Sequence, residues 1–124
     1  MRVAVHEDLE VYKAAFKLQQ DIYEVSCDWP AHERYALTDQ IRRSSRSIGG
    51  SIAESWAKRR YEAHFISKLT DADGEQNETR HWLRTAHHCS YLAEPQYMDL
   101  IERCKKIGAM LGKMMADSSK WVVR

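Results

Sequence analysis

The sequence predicts an all-α protein, an up-down-up-down antiparallel four-helix bundle, on three observations. Apolar residues recur at steps of three and four through four separate segments, the spacing of one helix face. No run alternates apolar and polar residues between turn-forming clusters, as a half-buried strand would. Only two prolines occur, Pro30 and Pro95, and each sits where a helix could start. Short connections between helices of similar length make neighbours antiparallel.

The first helix is expected over about Asp8 to Cys27, with Asp8 as N-cap. Its apolar face comprises Leu9, Tyr12, Phe16, Gln19 and Tyr23, flanked by Ala15, Ile22 and Val25. The second runs from Glu33 or Thr38 to Ala57, with Leu37, Ile41, Ser44, Ile48, Ile52 and Ser55 inward. The third spans about Tyr61 to Leu92 and contains Gly74, where a bend is conceivable. It turns Phe65, Leu69, Ala72, Gln76, Leu83, Ala86 and Ser90 to the core. The fourth runs from Pro95 to about Ala116, with Met98, Ile101, Cys104, Gly108, Leu111 and Met115 inward. The tail, residues 117–124, carries Trp121, Val122 and Val123 and either docks on the bundle or stays loose.

A chain of 124 residues fits one domain, and 44% apolar content is enough for one core. No stretch approaches the ~20 apolar residues that span a bilayer, and the first ten residues lack a secretion signal, so no membrane partner and a cytoplasmic location are expected. Cys27, Cys89 and Cys104 are odd in number and widely spaced, which favours reduced thiols over a disulfide framework. Nineteen basic and eighteen acidic residues nearly cancel, but their distribution is uneven. Between Gln40 and Arg60 stand Arg42, Arg43, Arg46, Lys58, Arg59 and Arg60 against the single acid Glu54. A local basic run on a near-neutral chain points to a phosphate-bearing partner.

The second helix has two faces to explain. Opposite its core stripe, Arg43, Ser47, Gly50 and Glu54 share a face, with Gly49, Ala53 and Trp56 beside them. Two adjacent glycines on a solvent face cost on the order of 1 kcal/mol each relative to Ala. Small residues there allow another backbone to approach, and a neighbouring subunit is the expected one. Arg43, Ser47, Gly49, Gly50, Ala53 and Glu54 are therefore the candidate subunit interface. A heterologous contact of this kind closes into a ring. With the second turn near Arg59 and Arg60, antiparallel register sets Arg43 opposite Gln76, so it is expected to pair with Glu75, Glu78 or a neighbouring subunit's acid.

Pro30, Glu33, Leu37, Gln40-Ile41-Arg42-Arg43, Ser47-Ile48 and Ser51-Ile52-Ala53-Glu54-Ser55 form one ordered pattern, continued by Phe65, Leu69, Ala72 and Glu78. Together with the opening Asp8-Leu9-Glu10-Val11-Tyr12, it resembles the four-helix-bundle family of proteins encoded in 23S rRNA intervening sequences, sometimes labelled ribosomal protein S23. The resemblance covers Asp8 to about Met115. The chain departs from it at Ser51, where the family often has Asn, at Ser55, where it has Gly, and in the more polar stretch Asp73 to Arg80. The resemblance implies a bundle assembled into a ring, typically a homopentamer, and association with RNA. Some relatives look like accessory proteins of retroelement reverse transcriptases with a nucleic-acid-binding basic surface.

Catalytic and metal chemistry finds little support. Glu78 and His81 form one E-x-x-H pair, whereas a di-iron bundle needs two. His87, His88 and Cys89 are adjacent and diverge on a helix, and His81 and His88 with Cys104 lack a closed ligand spacing. Asp71-Ala-Asp73-Gly74 places its glycine wrongly for a calcium loop. No glycine-rich phosphate loop is present. The reading is a non-catalytic oligomer without cofactor or metal. Arg42, Arg46, Lys58, Arg59 and Arg60 would contact the phosphates of RNA or DNA, and Trp56 and Tyr61 flank them as rings that could stack on bases. The alternative is an oligomeric protein-interaction scaffold or accessory subunit, for example of a reverse transcriptase.

Overall fold

The computed structural model describes residues 3–123, so Met1, Arg2 and Arg124 lie outside the described residues. Four α-helices and no strand occur among them: α1 Glu10–Ser26, α2 Asp39–Ala57, α3 Glu62–His88 and α4 Glu94–Ala116. All four contribute to one apolar core.

The helix ends follow local chemistry. Asp8 is not the cap of α1. It closes a short 3-10 turn, His6–Asp8, and the extended Leu9 precedes the helix. After Pro30, a 3-10 turn and one wide π turn, Arg34–Thr38, lead into α2. The helix α3 runs unbroken through Gly74 and stops at His88, short of Leu92. Ser90 takes a left-handed backbone, φ 66°, while the Tyr91 N–H donates to the Ala86 carbonyl at 2.9 Å, a Schellman-type ending. Pro95 stands in the first turn of α4, where its missing N–H costs nothing.

Cross-helix pairs set the register. Between α2 and α3, Ser44 Oγ and Thr79 Oγ1 are 2.9 Å apart, and Lys68 pairs with Glu54 at 3.1 Å. Arg43 binds both Glu75 and Glu78, within the chain rather than across subunits. Between α3 and α4, Thr70 donates to Met115 Sδ at 3.5 Å, and the His87 ring stacks on Tyr97 at 4.2 Å. Arg42 reaches Ser26 on α1, and Arg103 of α4 pairs with Asp21 of α1 at 2.9 Å. Between α2 and α3 and between α3 and α4 the number rises on one helix as it falls on the next, consistent with an up-down-up-down bundle.

The α2 stripe is buried as expected, and so is that of α3 except for exposed Ser90; Thr79 joins α3's buried face. On α4 Cys104 and Leu111 are buried as expected, as are Leu9, Ala15 and Ile22 at α1, but the rest of each core stripe lies beside the expected one. Val11, Ala15, Leu18, Ile22 and Ser26 are buried on α1, while Phe16 and Tyr23 are 46% and 41% exposed and Tyr12 and Gln19 are half-buried. Aliphatic side chains interdigitate best with the isoleucines of α2, and tyrosines keep their hydroxyls in water at the seam. On α4, Leu100, Cys104, Ile107, Leu111 and Met114 face inward and Met98 is exposed. The tail docks: Ser118 Oγ donates to Glu62 at 2.5 Å, and the Val123 N–H donates to the Arg59 carbonyl at 3.1 Å.

Candidate nucleic-acid interface on α2

The five candidate cations fall into two groups on α2 and its C-terminal end. Arg42 and Arg46 lie near its start. Lys58, Arg59 and Arg60 form the corner before α3, roughly 24 Å further on at 1.5 Å per residue. The structure therefore presents two basic clusters instead of one patch.

The first cluster is built around an aromatic ring. The Arg42 guanidinium lies 4.7 Å and the Arg46 guanidinium 5.6 Å from the Tyr23 ring centroid. Arg42 Nε also donates to Ser26 Oγ at 2.9 Å, so this half-buried side chain fastens the end of α1 to α2. Arg46 is exposed. Tyr23 is a partner the sequence reading missed, because it was assigned to the core. An aromatic at the edge of the helix stripe, facing a basic neighbour, is the signal that marks it.

At the second cluster, Arg59 lies flat over Trp56, 3.5 Å from the ring centroid, and its Nε donates to the Trp56 carbonyl at 2.9 Å. Burial lowers the pKa of this guanidinium below its ordinary value. Trp56 is itself buried beneath Arg59 and the edge of Trp121, so it is a core ring and not a stacking platform for bases. Tyr61 is 59% exposed and remains available for stacking. Lys58 and Arg60 are exposed at the carbonyl end of α2, where positive charge is favourable on its own account. Among the described residues, none of the five cations pairs with a carboxylate within 4.0 Å.

The candidate interface residues divide. Arg43, Ser47, Gly50 and Glu54 line a shallow hollow of about 370 Å³ with Arg46 and Ser51, and a Cβ on Gly50 would meet nothing within 4 Å. Ala53 is half-buried. Gly49 does not belong to the outward face. It is buried against α1, where a Cβ would lie 3.6 Å from the Tyr12 ring. That is ordinary van der Waals distance, so the packing of α1 would also admit an alanine there; the two glycines point 100° apart on the helix, and Gly50 is the exposed one.

Two further groups are committed to packing. Glu78 accepts from the Trp82 indole at 3.0 Å and from Arg43, and these bonds hold its carboxyl below the usual range. Cys104 is buried, which pushes its thiol up to about 12. No metal-binding group of three His, Cys, Asp or Glu occurs among the described residues, and no helix is long and apolar enough to cross a membrane.

Comparisons with known proteins agree on one family. The model of the 23S rRNA-intervening sequence protein family matches residues 7–113. A crystal structure of a protein with unknown function from the S23 ribosomal protein family of Bacteroides thetaiotaomicron superposes with a TM-score of 0.75 at 27% identity. The match covers 85% of this chain and 97% of that one. Among curated proteins, none matches.

Proposed function

The chain belongs to the family of 23S rRNA-intervening sequence proteins, and on that premise we propose that it is a non-catalytic, self-associating protein that binds RNA through the cations of α2. The carrying observation is the contrast along this helix. Arg43 is neutralised by Glu75 and Glu78, whereas Arg42, Arg46, Lys58, Arg59 and Arg60 have no carboxylate partner among the described residues. Cations left without acids favour a polyanion, and the exposed rings of Tyr23 and Tyr61 beside them supply stacking surface.

The hollow over Gly50 is the proposed subunit contact, and a pentameric ring of up-down-up-down bundles is the assembly in view. A ring repeats both basic clusters once per subunit, so weak phosphate contacts add by multivalency on a near-neutral chain. Three free thiols fit a reducing cytoplasm. A second reading, an interaction scaffold or accessory subunit, draws on exposed Phe16 beside that hollow's helix as an apolar contact for a protein partner.

The test uses cations whose side chains make no hydrogen bond or ion pair among the described residues. Arg46, Lys58 and Arg60 are exposed, so changing all three to Gln leaves Arg42 and Arg59 to their packing roles. The parent protein is expected to retain RNA in a low-salt gel shift, and the triple variant to lose at least about tenfold in affinity at unchanged mass by light scattering. Equal affinity in the two proteins would favour the scaffold.

A further inference from the structure

At the far end of the bundle from Tyr23, a hollow of about 560 Å³ opens where the N-terminal segment, the end of α2 and the docked tail meet. Val5, His6, Trp56, Arg59, Arg60 and Val123 are among its walls. The polar groups that meet there are mostly donors without acceptors. Arg59 uses its Nε on the Trp56 carbonyl, and its fork has no carboxylate among the described residues. Arg60 has none either. The Trp56 ring lies beneath Arg59, and its indole N–H is turned into the packed interior without a partner. The wall also holds one acid, Glu7, whose Oε1 lies 3.3 Å from Nδ1 of His6.

A buried donor without an acceptor is costly, and a partly buried guanidinium without an anion more so. The guanidinium's deficit is met by one oxyanion, while the indole N–H, with almost no accessible surface, stays out of its reach. Two consecutive arginines, Arg59 and Arg60, stand in the wall, and two forks favour a phosphate dianion over a single carboxylate. The volume exceeds that of a phosphate alone and accommodates the sugar attached to it. We propose that this hollow is a binding site for a phosphate monoester, held by the forks of Arg59 and Arg60. The group comes either from a free nucleotide or from the 5′ end of an RNA, and the second source rests on the RNA-binding reading above.

The test combines two measurements on the full chain. Inorganic phosphate and adenosine 5′-monophosphate are titrated while the amide resonances of Arg59 and Arg60 and the indole resonance of Trp56 are followed. One oligoribonucleotide is then bound with a 5′-phosphate and with a 5′-hydroxyl. The expected result is saturable movement of those resonances and a tenfold or greater preference for the phosphorylated end. Both are lost in Arg60→Gln, whose exposed side chain is dispensable for folding, and in Arg59→Gln. Binding of the nucleotide at the corner with no binding of either RNA upholds the site, assigns it to free nucleotides and removes the RNA reading. Equal binding of the two RNAs with unmoved resonances overturns the site and leaves the RNA reading standing. No binding of any probe overturns both.

Discussion

Arg43 illustrates how much a single side chain settles. Its two carboxylates lie on α3, so the cation that sequence alone could assign to either a neighbour helix or a neighbour subunit is spent within the chain. The three groups are partly exposed, and Arg43→Ala is expected to cost no more than about 1 kcal/mol, the upper range of an exposed pair. The bonds from Trp82 and Arg43 lower the pKa of Glu78 from its ordinary 4.5. A depressed carboxyl stabilises the fold above its unfolded value and loses that contribution as pH falls through the folded one. Acid titration of stability should therefore show a loss beginning near pH 4.5 that is smaller in Glu78→Gln. The thiols give a second residue-scale check. Cys27 and Cys89 are exposed, whereas Cys104 is buried with its thiol raised to about 12. A disulfide reagent should modify two thiols in the native protein and the third only on unfolding. Rapid reaction of all three would show that α4 is not packed as described.

At the scale of the element, α2 was the most legible helix and α1 the least. The residues of α2 leave one choice, since its isoleucines all fall on one buried side and none of its arginines does. On α1, Tyr12, Phe16 and Tyr23 offer an apolar stripe beside that of Val11, Leu18 and Ile22, and periodicity does not rank two adjacent stripes. The cost of choosing the aromatics was to hide Tyr23, the ring that carries Arg42 and Arg46. The split between Gly49 and Gly50 was equally illegible, because which glycine faces α1 depends on how that helix is rotated. The distinction has a measurable consequence. Gly50→Ala adds a methyl to open space and should raise the stability of the isolated chain by up to about 1 kcal/mol through helix propensity. Gly50→Leu should keep the helical signal and break self-association if the hollow is the subunit contact. Light scattering that gives the same mass for Gly50→Leu and the parent would remove the hollow from that role.

For the whole molecule, the four-helix class and the family were legible from patterning and from the ordered residues between Pro30 and Glu78. The grouping of the cations was not. Contiguity in sequence suggested one run, whereas the rise of the helix separates it into two clusters, one tied to Tyr23 and one to Trp56. The proposed hold of these clusters on RNA acts through phosphate charge. It is tested most directly by the affinity for a single-stranded RNA measured across a salt series, in the parent and in the protein carrying Arg46→Gln, Lys58→Gln and Arg60→Gln. Each neutralised phosphate releases counterions, so the logarithm of the parent's affinity should fall linearly with the logarithm of salt. The variant's line should be shallower by roughly 2 for each subunit engaged, at about 0.7 per lost contact. An affinity indifferent to salt, or two lines of equal slope, would contradict it.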